Sequence, residues 1–233
     1  MKPCNCTMKK TFIIANWKSN ITSSEANSWL ESFDIKDLDT TDKKVIICPS
    51  FALLSDIKSY SLKNNSSVKI GAQDISPFGE GSYTGEVNGK QLKDFAEFVI
   101  VGHSERRKNF AESNDTVNLK IKKAFEYGLI PIVCISELEQ VKALQEIAKT
   151  NNNFIVAYEP LFAIGSGTPD TPENADLMAG KIKNIIGDIA VLYGGSVTSG
   201  NINNFSKMPN ISGALIGKAS LNPTEFLQII KNA

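Results

Sequence analysis

The chain is short of almost everything that would send it to a large or charged partner. Lysine plus arginine equals aspartate plus glutamate at 25 each, so no basic face by count argues for nucleic acid and there is no acidic tail. No apolar stretch approaches the roughly 20 residues that cross a bilayer. The opening Met1-Lys-Pro-Cys-Asn-Cys-Thr-Met-Lys-Lys10 lacks the apolar centre of a signal peptide. A cytoplasmic location is expected, with a small molecule as partner and neither membrane nor nucleic acid. Four cysteines do not make a disulfide framework in 233 residues. Cys48 and Cys134 lie inside apolar runs and are read as small core residues. Cys4 and Cys6 lie in a polar lead, and a lone Cys-x-Cys has too few ligands for a structural metal. No nucleotide or metal motif is present, and no cofactor is expected. Residues 1–9 are read as a short disordered extension, with Met8 as an alternative start.

Scarcest of all is histidine, present once. His103 follows the apolar run Phe98 to Val101, which ends abruptly in Gly102 and a charged turn. A strand buried on both faces reads as continuous apolar residues, and ligands of parallel α/β folds collect at the carboxyl ends of such strands. A lone histidine is more often structural than catalytic, but two other runs end in the same way. Phe12-Ile-Ile-Ala-Asn-Trp-Lys18 ends in an amide and an ammonium. Phe154-Ile-Val-Ala-Tyr-Glu159 ends in a carboxylate and leads into Pro160-Leu-Phe-Ala-Ile-Gly-Ser-Gly167. Each residue has a bland reading, Lys18 as a solvated charge, Asn16 as a turn residue, Glu159 as a loop start. Their shared placement points to one site.

Apolar runs recur near residues 12–16, 45–49, 68–72, 98–102, 129–135, 154–158, 189–193 and 211–217. Between them lie helical stripes, such as Val117, Ile121, Ala124 and Phe125, or Met178, Ile182, Ile185 and Ile186. Gly128 reads as a helix stop, and Thr171-Pro172-Glu173 as a cap with a first-turn proline. Eight strand–helix units predict an α/β fold, either a closed (β/α)8 barrel or an open doubly wound sheet. Periodicity alone does not choose between them.

From about Lys10 onward the chain resembles the triosephosphate isomerase family. The matching segments, in the family's order, are Asn16-Trp-Lys18, Gly71-Ala-Gln73, Tyr83-Thr-Gly-Glu86, Gly102-His-Ser-Glu-Arg-Arg107, Ala157-Tyr-Glu-Pro160 with Ala163-Ile-Gly165, and Tyr193-Gly-Gly-Ser-Val197. The resemblance implies a single-domain TIM barrel over residues 10–233. It also implies interconversion of dihydroxyacetone phosphate and D-glyceraldehyde 3-phosphate through a cis-enediolate, in glycolysis and gluconeogenesis. Glu159 is the implied base, and enclosure against Ile164 and Leu215 is expected to raise its pKa. Neutral His103 is the implied electrophile and proton shuttle, with Lys18 and Asn16 adding charge and a donor and Glu105 standing behind Lys18. A short helix beginning at Ser104 would disfavour the imidazolium, an effect for which this family is itself a standard example.

Gly165, Ser196, Gly217 and Lys218 match the family's phosphate-contacting positions, through backbone N–H groups and a helix start after Gly217. Lys218 departs from the usual second glycine, which leaves its N–H in place. Pro160 to Gly167 resembles the closing lid, hinged at Pro160-Leu-Phe162 and Ser166-Gly-Thr168, with Leu161 and Phe162 where valine and tryptophan are usual. Ser136 also replaces a usual glycine. The long connection 74–86 resembles a dimerisation loop. A homodimer is implied, with Thr84 reaching the partner's site and Glu86 pairing Arg106 across the interface. A phosphate-binding barrel without catalysis, or another phosphosugar isomerase or lyase, accounts for fewer of these residues.

Overall fold

In the computed structural model, residues 10–33, 35 and 40–233 are described. The readings of Cys4, Cys6, Met8 and the extension fall outside them. Strands and helices alternate as β1 (Thr11–Asn16), α1 (Ser23–Ser32), β2 (Lys43–Cys48), α2 (Leu54–Lys63), β3 (Lys69–Ala72), α3 (Gly89–Leu92), β4 (Phe98–Val101), α4 (Ser104–Phe110), α5 (Asn114–Glu126), β5 (Ile130–Ile135), α6 (Leu138–Lys142), α7 (Gln145–Thr150), β6 (Ile155–Tyr158), α8 (Pro172–Ile186), β7 (Ala190–Tyr193), α9 (Ile202–Ser206), β8 (Gly213–Ile216) and α10 (Pro223–Asn232). Each of the eight strands falls on one of the eight apolar runs.

All pairings are parallel and in sequence order, and β1 also pairs with β8, so the sheet closes into a barrel. The open-sheet alternative is thereby excluded. At the seam Phe12 lies opposite Gly213, whose φ is 134°. A Cβ there would run into the Phe12 carbonyl, so only glycine lets the two strands meet.

The strands are apolar on both faces because both are buried. Ile14, Ile46, Cys48, Phe98, Ile100, Ile132, Cys134, Ile155, Ala157, Leu192 and Leu215 form one cluster, which fills the barrel. Their sequence neighbours, such as Ile13, Ala15, Ile47, Val99, Val133 and Val156, belong to a second cluster shared with the helices. Cys48 and Cys134 are free thiols in the inner cluster.

Caps set where the helices begin. The Thr171 hydroxyl accepts the Asn174 N–H at α8, with Pro172 in the first turn, and Asn222 caps α10 ahead of Pro223 in the same way. Gly128, at φ 74°, follows α5. Aromatic packing ties α1 to α10 and to the end of β1. Trp17 and Trp29 meet edge to face at 4.9 Å, and Phe33 lies 5.7 Å from Phe226. Trp17 is fully buried, which anchors the backbone between Asn16 and Lys18.

Candidate active site

Side chains alternate along a strand, so the inward row of each strand continues to a definable residue at the carboxyl rim. After Phe12 and Ile14 the next inward position is Asn16. After Ile155 and Ala157 it is Glu159, after Leu192 it is Gly194, and after Leu215 it is Gly217. β4 breaks the alternation: Gly102 turns left-handed, at φ 69°, and His103 becomes the cap of α4. A Cβ on Gly102 would also crowd the Val117 side chain at 2.8 Å.

These rim residues line one cleft of about 790 Å³. Asn16, Lys18, His103, Glu159, Gly165, Ser196, Gly217 and Lys218 all border it, together with Ile164 and Leu215. Glu105 stands behind Lys18, its Oε1 2.5 Å from Lys18 Nζ. Lys18 has φ 52°, uncommon for a residue with a side chain, and its neighbours hold it there. Its N–H donates to Asn16 Oδ1 at 3.1 Å, and its carbonyl accepts from Gln73 Nε2 at 2.9 Å. Gln73 Nε2 also donates to the Cys48 carbonyl at 2.9 Å, bracing the β1 loop against β2.

Glu159 is fully buried and turned toward α4. Its Oε2 accepts the Ser104 N–H at 2.9 Å, and its Oε1 lies 3.0 Å from His103 Nε2. Burial pushes the carboxyl pKa up, but the neighbouring imidazole and the Ser104 N–H outweigh it and hold the group below its ordinary value. The expectation of a raised pKa is corrected for this arrangement. It considered the apolar walls, whereas the carboxylate faces donors.

His103 Nδ1 accepts the Glu105 N–H at 3.2 Å, which assigns the proton of the neutral ring to Nε2, facing Glu159. Burial works against the imidazolium, yet the Glu159 and Glu105 carboxylates more than offset it and hold the His103 pKa above its ordinary value. Withdrawing the Glu159 carboxylate leaves only Glu105 to favour the imidazolium, against burial and the Lys18 ammonium, and so moves that pKa down.

A sequence model of triosephosphate isomerase matches residues 11–233. The chain is 39% identical to the triosephosphate isomerase of Dictyoglomus thermophilum, over 97% of this chain and 100% of that one. It is also 39% identical to the enzyme of Mesomycoplasma hyopneumoniae strain 7448, over 96% and 100%. The chain belongs to the triosephosphate isomerase family. It is an aldose–ketose isomerase that interconverts dihydroxyacetone phosphate and glyceraldehyde 3-phosphate, a reaction of glycolysis.

The segment Pro160–Thr168 presents Leu161 and Phe162 to solvent, 66% and 63% exposed, over a buried Ala163. The Ala163 carbonyl accepts from Ser196 Oγ at 2.8 Å, so this segment is tied to the loop after β7. At its far end the Asp170 N–H donates to Tyr193 Oη at 2.8 Å. Gly217 is followed by a 3-10 turn, Lys218–Leu221, and not directly by an α-helix. Ser136 donates its N–H to Gln140 Oε1 at 2.7 Å across the start of α6.

Thr84, Glu86 and Arg106 lie away from the cleft. Thr84 and Glu86 are exposed in the connection after β3, where Phe78 and Tyr83 stack at 4.3 Å. Arg106 bonds within its own chain to Glu112 through Nε at 2.6 Å and to Asp74 through Nη2 at 2.9 Å. Lys120 Nζ, buried, joins the same two carboxylates. Reading by residue type gave no role to Gln73 or the Ser104 N–H and did not assemble this cluster of Arg106, Asp74, Glu112 and Lys120. Gln73 had a usable signal, being next on the inward row after Gly71.

Proposed function

We propose that Glu159 removes the proton α to the substrate carbonyl while His103, as the neutral imidazole, donates from Nε2 to the oxygen that gains charge. Supporting this is the 3.0 Å approach of the only histidine to a fully buried carboxylate in a cleft that also holds Lys18. At rest the two groups hold each other. Substrate entering between them separates the pair. The carboxylate swings away from both the imidazole and the Ser104 N–H and becomes more basic, and the imidazole loses the stronger of the two carboxylates that favour its protonation. Glu159 returns the proton to the adjacent carbon, and His103 moves a proton between the two oxygens. Lys18 and Asn16 stabilise the enediolate oxygens, and Glu105 positions the Lys18 ammonium.

The phosphate is received by the N–H groups of Gly165, Ser196, Gly217 and Lys218. The lid closes over it through its two hinges, excluding water from an enediolate that would otherwise eliminate phosphate. Residues 10–233 act as one catalytic domain in the cytoplasm.

The active species is a homodimer. Exposed Phe51, Phe78, Tyr83 and Phe110 are apolar surface for a second copy to cover, and Arg106, 4.9 Å over Phe110 of its own helix, also bonds Asp74 at the start of the connection that carries Phe78 and Tyr83. Thr84 approaches the other copy's Asn16 and Lys18, and Glu86 pairs with Arg106 across the interface. Sedimentation at low concentration tests this, and an active monomer overturns it.

The test of the base is conversion of glyceraldehyde 3-phosphate by wild type beside Glu159→Gln, with product read by a coupled reductase. Loss of about three or more orders of magnitude in kcat/KM is expected. A variant that keeps wild-type turnover removes Glu159 from the role.

A further inference from the structure

The cleft holds two lysines in different states. The Lys18 ammonium is engaged by Glu105 at 2.5 Å. Lys218, exposed at the rim, has no ion pair or side-chain hydrogen bond among the described residues. Besides Glu159, the acid that lines the cleft is Glu225, and it is occupied, since its carboxylate accepts the Ser199 N–H at 2.7 Å and the Ser199 hydroxyl at 3.0 Å.

The backbone carrying Lys218 is fixed from three sides. The Gly217 carbonyl accepts both the Ser220 N–H at 2.9 Å and the Ser220 hydroxyl at 2.7 Å. Trp29 Nε1 donates to the Ser220 carbonyl at 3.1 Å. Lys18 approaches the same turn, since a Cβ on Gly217 would stand 3.4 Å from Lys18 Cε. A cation without a protein counter-ion is thus mounted on a rigid turn beside the phosphate end of the cleft.

We propose that the Lys218 ammonium is a second, charge-based reader of the substrate's phosphate dianion, a specificity determinant that a glycine at this position lacks. This rests on the phosphate placement proposed above and goes beyond it, since there only the backbone N–H was used. A flexible, solvated ammonium acts as a point charge and needs no fixed geometry. It increases capture of dianionic ligands most at low ionic strength and least when salt shortens the screening length. Inorganic phosphate, which shares that chemistry, competes for the same charge.

Lys218→Gln removes the charge and Lys218→Arg keeps it, and both retain the backbone N–H. KM for glyceraldehyde 3-phosphate and Ki for inorganic phosphate are measured for each at about 0.02 M and about 0.5 M ionic strength. Expected for Lys218→Gln is a rise of about two- to fivefold in both constants at low salt, larger than any change in kcat, which disappears at high salt. Lys218→Arg should stay with the wild type. Equal constants and equal salt dependence in wild type and Lys218→Gln overturn the proposal, as does an arginine variant that behaves like glutamine. Failure of phosphate to compete with substrate in the wild type overturns instead the phosphate placement on which it rests.

Discussion

His103 Nε2 lies 3.0 Å from Glu159 Oε1 while its Nδ1 accepts a backbone N–H, so the imidazole and the carboxylate regulate each other's proton affinity. The chain has one histidine, so a single imidazole titration reads this pair. Replacing Glu159 with glutamine should lower the His103 pKa below that of the wild type, followed by NMR. An unchanged titration would mean that the carboxylate does not face the ring in solution. The same pair has a stability signature. Glu159 sits below its ordinary 4.5, so its contribution is present above that value and lost as pH falls through the folded-state pKa. His103 sits above its ordinary 6.5, so its contribution is complete below that value and lost as pH rises through the folded-state pKa. The stability advantage of wild type over Glu159→Gln should therefore be greatest between 4.5 and 6.5 and shrink on both sides.

Gly194 makes room for the carboxylate. A Cβ there would stand 3.0 Å from Glu159 Cγ and 3.1 Å from the Tyr158 carbonyl oxygen. Gly194→Ala should displace Glu159 and lower kcat by about 10²-fold, with less effect on the melting temperature, because a small misplacement of a catalytic group is costly. Wild-type kcat in this variant would show that the carboxylate has slack.

Lys120 is a buried cation whose Nζ lies 2.7 Å from both Asp74 oxygens and 2.5 Å from Glu112. Burial raises the pKa of both acids. Lys120 and Arg106 overcome it at Glu112, whereas Asp74, which also feels the Glu112 charge, stays above its ordinary value. Lys120→Met should cost about 3–5 kcal/mol in chemical denaturation by stranding buried acids. Adding Glu112→Leu should recover part of that loss, and full additivity of the two would refute the coupling.

Ala111 ends α4 at φ 53° with its side chain exposed. Glycine carries no penalty in that conformation, so Ala111→Gly should stabilise by about 1 kcal/mol, seen as a higher melting temperature. A lower one would mean that the left-handed turn is not populated.

Much of this architecture was legible because apolar runs and chemistry share one rule. A strand buried on both faces cannot hide its length, so the eight runs and the eight strands coincide. Asn16 and Glu159 stood out as polar groups that terminate such runs. What sequence could not supply was direction. The apolar neighbours of Glu159 were readable, but not that its carboxylate turns to the Ser104 N–H and His103, so the sign of its pKa shift was misjudged. The quartet of Arg106, Asp74, Glu112 and Lys120 was equally hidden, because its members come from four pieces of chain and nothing in their spacing joins them.

The rim residues sit one step beyond the last apolar layer of each inward row, and this separates two kinds of inheritance. Everything below that step is constrained by volume, since a wrong side chain leaves a hole or a clash in the barrel. The groups at the step border the cleft and are constrained by the reaction and by the few contacts that aim them. The same barrel could exchange its rim for another set of reactive groups without renegotiating its interior, and a copy with an inert rim would still fold.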